Sequence, residues 1–163
     1  MGAFPPTPAL HIRGYTIVEL LVVMVVLAVL ALLVFPMAEI TVQRDKEREL
    51  KRALWEIRDA IDAYKRAGDA GLVLRDADLP AYPPNLQSLT QGVSNGKEGG
   101  VRLYFLRRIP RDPFADPALQ AEQTWGLRSF ESPPDRPVPG ATVYDVYSRS
   151  TRIGLNGVPV RDW

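Results

Sequence analysis

An uninterrupted apolar segment near the start of the sequence constrains the fold most strongly. Residues 20–38 include no charged residue and are nearly all Leu, Val, Ala, Met or Phe. This length and polarity are typical of a membrane-spanning helix. A cleaved secretory signal is the alternative, but the segment is longer than the apolar part of such a signal. It also lacks a small-x-small cleavage site at its end, and Glu19 stands at its entrance. The sequence therefore predicts a membrane helix.

An amphipathic helical pattern follows the apolar segment without a break. Charged residues of both signs fill positions 44–52, and Glu47 has the helical spacing for an ion pair with Lys51. We predict one helix over about residues 15–67, roughly 80 Å long at 1.5 Å per residue, with Gly68 as its stop. Apolar residues at steps of three and four predict its buried face: Leu50, Ala53, Leu54, Ile57, Ile61 and Tyr64.

The rest of the chain predicts loops and short strands. Most of the 15 prolines follow Leu79, which disfavours long helices there. Residues 124–130 and 142–148 have the composition and alternation of strands, and the proline-rich stretch 133–140 connects them. Residues 93–100 are predicted as a glycine-bearing loop. The expected fold is therefore α+β, with a long N-terminal helix packed on a small antiparallel β-sheet and irregular loops.

Composition excludes several classes of function. The chain has no cysteine, so it can form neither a disulfide nor a thiolate metal site. Its single histidine, His11, lies in the N-terminal polar stretch, which leaves no Ser-His-Asp set for a hydrolase. A formal net charge of +1 gives no electrostatic case for nucleic acid. We expect a protein that is not an enzyme and does not bind nucleic acid.

The residues before the apolar segment point to processing and assembly. Gly14 has no side chain, so a protease can bring its catalytic groups close to the backbone there. Glu19 would place a carboxylate in the bilayer, at a cost on the order of 2.5 to 3.5 kcal/mol, which calls for a partner. Cleavage after Gly14 would create an ammonium at Tyr15. In a stack of subunits, a neighbour's ammonium could neutralise the Glu19 carboxylate; snorkelling of Glu19 to the headgroups is the alternative.

The stretch Gly-Tyr-Thr-Ile-Val-Glu-Leu-Leu, followed by an apolar run, closely resembles the class III signal of type IV prepilins and pseudopilins. The resemblance implies cleavage after Gly14 by a prepilin peptidase, N-methylation of Tyr15 and an assembly role for the Glu19 carboxylate. Pro36, whose ring and missing amide should kink or locally unwind a helix, matches the helix-breaking proline of many members. Tyr15 replaces the usual phenylalanine, and the leader has fewer basic residues than is common.

The folded half is similar to the major, G-type pseudopilins of type II secretion. The similarity lies in Tyr-Pro-Pro at residues 82–84, in Pro-Arg-Asp-Pro-Phe at 110–114, in the Tyr-Asp-Val-Tyr-Ser strand at 144–148 and in the final Trp163. G-type pseudopilins carry an acidic calcium loop before the terminal Trp, whereas residues 149–160 contain no acid. Calcium prefers six to eight oxygen ligands, so we do not expect the site. The weak candidate ligands are Ser148, Asn156 and Asp162.

The resemblance implies four segments: a leader at residues 1–14, a transmembrane half-helix at 15–38, an amphipathic half-helix at 39–68 and a periplasmic domain at 69–163. It implies a single-pass protein of the bacterial inner membrane that polymerises into a helical homopolymer, a pseudopilus for protein export. Expected partners are minor pseudopilins, prepilin peptidase and the assembly platform. A surface type IV pilin is one alternative, disfavoured by the missing cysteine pair. A non-polymerising, membrane-anchored periplasmic binding protein is another.

Overall fold

The computed structural model describes residues 14–74, 79–97 and 99–163, and within 32–38 it describes only the backbone. The predicted leader, Gly14 apart, lies outside the described residues. The chain divides into two compact units, Met1–Thr41 and Val42–Trp163. The long helix α1, Ile17–Asp69, contributes residues to both units and confirms the predicted N-terminal helix.

The described part of the first unit is mainly the beginning of α1. The helical assignment includes Pro36, so no unwound stretch interrupts the helix there, and the predicted kink stays a prediction. Among the described residues, no helix is both long enough and apolar enough to cross a membrane.

Helix α1 ends in a glycine-capped turn a few residues beyond the predicted stop. Gly71 adopts a φ of 68°, and the amide of Leu72 donates to the carbonyl of Ala67 at 2.9 Å, which is the pattern of a Schellman cap. Gly68 remains inside the helix. A Cβ at Gly68 would lie 2.9 Å from the Cβ of Ala81, so this glycine permits close packing and does not end the helix.

The second unit is built on the apolar face of α1. All six residues predicted for that face are buried, and they form one cluster with side chains from later in the chain. Removing this much apolar surface from water is the main stabilising contribution to such a small domain. The later residues in the cluster are Val73, Leu86, Leu89, Leu106, Ile109, Trp125, Val143, Val146 and Val160.

The strands confirm the predicted α+β class but form two small ladders rather than one sheet. After the short helix α2, Gln87–Gln91, strands β1 (Val93–Ser94) and β2 (Arg102–Leu103) pair antiparallel. The loop predicted over 93–100 thus begins as a strand. Strands β3 (Trp125–Arg128) and β4 (Asp145–Ser148) pair antiparallel over four residues, within the two predicted strand segments. Two 3₁₀ helices, Ala121–Thr124 and Val160–Asp162, lie before β3 and at the end of the chain.

Candidate functional site

The predicted processing site lies immediately before α1. Thr16 precedes the first helical residue, and its hydroxyl accepts a hydrogen bond from the amide of Glu19 at 3.2 Å. This is the N-cap arrangement that Thr-x-x-Glu sequences favour, because it satisfies an amide that has no partner within the helix. Among the described residues, and its chain neighbours apart, a Cβ added at Gly14 would meet no atom within 4 Å, and Tyr15 is 76% exposed. The bond between these two residues is therefore accessible and outside the helix.

The first turns of α1 expose apolar side chains in every direction. All residues from 14 to 31 are exposed, including Glu19 and the Val, Leu and Met side chains that follow it. An apolar surface of this extent is rare on a soluble monomer and marks a site that contacts lipid or another protein. Glu19 is the single charged residue in this stretch. The structure thus places Gly14, Tyr15 and Glu19 on one exposed segment, while their chemical roles stay predictions.

The weak calcium candidates have other contacts. The Ser148 hydroxyl is fully buried and donates to Oδ2 of Asp112 at 2.6 Å. Asn156 uses Oδ1 to accept from the amide of Val158 at 3.1 Å, which closes a tight turn. In the part of the chain that the structure describes, no group of three or more His, Cys, Asp or Glu side chains could hold a metal ion.

A buried carboxylate that was not predicted as a functional residue, that of Asp112, links two parts of the domain. Asp112 is 2% exposed, and its Oδ1 accepts from the amide of Phe114 at 2.8 Å while Oδ2 accepts from Ser148. The backbone amide of Asp112 donates to the hydroxyl of Thr124 at 3.2 Å. The proline-bounded turn is therefore attached to the β3–β4 hairpin through side chains. The sequence signal that could have identified this residue was an aspartate between two prolines. An Asp side chain often accepts a hydrogen bond from the backbone amide two residues later.

A second network attaches α1 to β4. Nε of Arg58 lies 2.8 Å from Oδ1 of Asp145, and Nη2 of Arg128 lies 3.2 Å from Oδ2 of the same carboxylate. Arg58 also donates to the backbone oxygens of Val146 and Trp163 at 3.2 and 2.9 Å. These side chains border a surface groove of about 610 Å³. Two arginines on one carboxylate hold the helix, the hairpin and the last residue in one arrangement.

The charged stretch of α1 differs from its predicted pairing. Lys51 does not form an ion pair with Glu47; its Nζ lies 4.6 Å from the centre of the Trp163 ring, in a cation–π contact. Glu47 instead accepts from Nε2 of Gln43 at 3.1 Å and from the amide of Leu155 at 2.7 Å. Long-range contacts take precedence here over the local helical spacing.

Comparisons with known proteins give two matches. Residues 10–35 match the family described as the prokaryotic N-terminal methylation motif. The type II secretion system core protein G of Klebsiella pneumoniae is 32% identical over 108 residues, which cover 63% of this chain and 69% of that protein. No solved structure matches the chain. The first match confirms the prepilin-type motif, and the second extends the similarity well beyond it into the folded domain.

Proposed function

Because the chain belongs to the family of the type II secretion system core protein G, we propose that it is the structural subunit of a type II secretion pseudopilus. In this role the chain is processed by prepilin peptidase, polymerises at the inner membrane and drives the export of folded proteins. Its contribution is structural and not catalytic, because the sequence offers no set of side chains for catalysis.

The match to core protein G is the observation that carries the proposal. An N-terminal methylation motif alone is compatible with both surface pilins and pseudopilins. The similarity to core protein G covers 69% of that protein, so it must include much of the folded domain that distinguishes subunit types. A secretion-system relative favours a pseudopilus over a surface pilus for adhesion, motility or DNA uptake. The absence of cysteine agrees with this choice.

Accessibility at the start of α1 supports the processing step. The capping hydroxyl of Thr16 starts the helix just after Tyr15, so the Gly14–Tyr15 peptide bond is free of helical hydrogen bonds. A protease must bind its substrate in an extended form, which a residue inside a helix cannot adopt without unfolding. Cleavage after Gly14 would leave a new amine on Tyr15, the atom that methylation would modify.

The exposed apolar surface of α1 supports membrane anchoring followed by polymerisation. Burying one Val or Leu side chain is favourable by about 1.5 to 3 kcal/mol, so a helix exposing many of them needs lipid or neighbouring subunits around it. We place the segment in the inner membrane before assembly and against the same segment of other subunits afterwards. Head-to-tail contacts of this kind do not close, and they extend into a filament. The folded unit is then periplasmic, and the further partners are minor pseudopilins and the assembly platform.

Glu19 supplies the charge that sets the position of one subunit against the next. It is the single acid among the exposed apolar residues that open α1. An unpaired carboxylate in an apolar bundle is unfavourable by several kcal/mol, whereas one paired with the Tyr15 amine of a neighbour is not. Only subunits at the correct axial offset make this pair.

The experiment that tests this function replaces Glu19. Glu19→Leu should insert into the membrane and be cleaved like the wild type, yet its filaments, counted by electron microscopy after overproduction, should fall at least tenfold. Val22→Leu is the matched control, because it changes an exposed apolar residue of the same segment without altering charge. Normal filament numbers from Glu19→Leu would refute the pairing, and a wild-type chain that never forms filaments would refute the pseudopilus assignment.

A further inference from the structure

The loop at residues 153–158, before the final 3₁₀ helix, is hydrogen-bonded to two side chains of α1 that are distant in sequence. Oε1 of Glu47 accepts a hydrogen bond from the amide of Leu155 at 2.7 Å, and Nε2 of Gln43 lies 3.3 Å from the carbonyl oxygen of Ile153. The two helix side chains also bond to each other at 3.1 Å. Both side chains are half-buried and the bond between them is part-buried, while the two bonds to the loop are exposed to solvent. One amide and one carbonyl of the loop are thereby held from the helix side.

The loop is otherwise closed by its own backbone. The amide of Gly154 donates to the carbonyl of Val158 at 2.9 Å, and Ile153 forms an isolated antiparallel bridge with Pro159. A Cβ at Gly154 would overlap with the ring of Trp163, so the backbone passes directly against that indole. These contacts shape the turn, but none of them joins it to α1. Among the described residues, Glu47 and Gln43 make the direct hydrogen bonds between this loop and the helix, while Trp163 links the two indirectly through Lys51 and Arg58.

The oxygen atoms around this loop do not fit a calcium ion. Residues 149–160 contain no carboxylate, and Asp162 lies beside Arg161, with 3.7 Å between Oδ1 and Nε. The Ser148 hydroxyl donates to Asp112, and Oδ1 of Asn156 accepts within the loop. Six to eight free oxygen ligands, several of them anionic, are what calcium requires. The chemistry of the donor set therefore argues against a metal-held loop.

We propose that the Glu47 carboxylate, oriented by Gln43, holds the 153–158 loop in the position that a metal ion would otherwise have to fix. The acid comes from the helix and not from the loop, and it binds a backbone amide directly. A hydrogen bond to a charged group is stronger than a neutral one, so this single contact has a measurable effect on loop order. The arrangement also fixes two outward apolar side chains, Ile153 at 63% and Leu155 at 45% exposure. Loop order in this chain depends on Glu47 and is independent of calcium.

Hydrogen–deuterium exchange on the full chain in detergent micelles tests this proposal. In Glu47→Ala, peptides containing Leu155 should exchange roughly tenfold faster than in the wild type, because the amide loses its acceptor. Glu47→Gln keeps an oxygen acceptor and should show a smaller increase. Glu56→Ala is the control, since Glu56 is an exposed acid of the same helix whose side chain has no hydrogen bond or ion pair among the described residues. Unchanged exchange in peptides covering β4 shows that the domain remains folded.

A calcium comparison on the wild type completes the test and needs no variant. Exchange of the same peptides is measured in millimolar calcium and in EDTA, and the proposal predicts identical rates. Slower loop exchange in calcium would overturn it, because a metal would then hold the loop. Unchanged exchange of the Leu155 amide in Glu47→Ala would overturn it as well.

Discussion

The buried Asp112 carboxylate offers the sharpest prediction about stability. Asp112→Ala removes the acceptor of two hydrogen bonds, one from the fully buried Ser148 hydroxyl at 2.6 Å and one from the Phe114 amide at 2.8 Å. The Ser148 hydroxyl is fully buried, so water does not readily replace its lost acceptor, whereas the Phe114 amide is part-buried. The substitution therefore breaks the link between the turn at residues 110–114 and the β3–β4 hairpin.

The expected loss follows from the number of donors left without a partner. The buried Ser148 donor left unsatisfied costs about 1 to 3 kcal/mol, and the part-buried Phe114 amide adds about 0.5 to 1.5 kcal/mol, so the free energy of unfolding should fall by about 1.5 to 4.5 kcal/mol. Domains of this size are commonly stable by about 5 to 15 kcal/mol, so the loss is a large part of the total. Asp112→Asn keeps an oxygen for the Phe114 amide and should lose less. Ser148→Ala leaves Oδ2 of Asp112 without its donor and the Ser150 amide without the hydroxyl that accepts from it at 3.1 Å, so its loss should be comparable to that of Asp112→Ala.

Urea unfolding of a fragment comprising residues 42–163 measures these changes, because the buried core residues among those described lie in that unit. The control is Asp135→Ala, whose carboxylate is 72% exposed and should change stability by less than about 0.5 kcal/mol. The double variant of Asp112 and Ser148 should show a coupling energy of about 1 to 3 kcal/mol. The assigned network would be refuted if the losses in free energy of unfolding of the two single variants simply added in the double variant. It would also be refuted if Asp112→Ala lost no more free energy of unfolding than the control.

Three further predictions concern the core, the end of α1 and the dependence on pH. Ile57→Ala, at a position with no exposure, should lower the free energy of unfolding by about 2 to 5 kcal/mol in the same assay, because it leaves a cavity. Gly68→Ala should also destabilise the unit; helix propensity alone predicts a gain of about 1 kcal/mol, but the added methyl group meets Ala81. A gain in stability would contradict the packing described there. Burial raises the pKa of the Tyr64 phenol above its ordinary value of 10.0. Stability should therefore be lost as pH rises above about 10, where the unfolded chain ionises Tyr64 first, and Tyr64→Phe should lose less over that range. Equal pH profiles for the two proteins would contradict the assignment.

Local patterns in the sequence were sufficient to predict the main helix and the residues of its buried face. The spacing of Leu50, Ile57 and Tyr64 reflects the turn of the helix itself, so it can be read without knowing the rest of the fold. The β3–β4 pair could also be predicted, because alternating residues and a proline-rich connection are local signals in the sequence. The methylation motif was predicted for the same reason: its residues are contiguous.

Contacts between distant residues could not be read in this way. Glu47 and Leu155 are 108 positions apart, and Arg58 and Asp145 are 87 apart, so no periodicity connects them. The local rule of opposite charges four residues apart predicted an ion pair between Glu47 and Lys51. In the structure, Glu47 accepts a hydrogen bond from the Leu155 amide of the loop instead. The two-residue strand β1 was missed because its pairing with β2 depends on tertiary placement and not on composition.

The chemistry of the mature N-terminus tests most directly whether the chain becomes a processed filament subunit. Intact-mass and N-terminal peptide analysis of the protein purified from its own membranes should find a chain that begins with N-methylated Tyr15. A chain that still carries residues 1–14 would contradict processing and favour an anchored protein that does not polymerise.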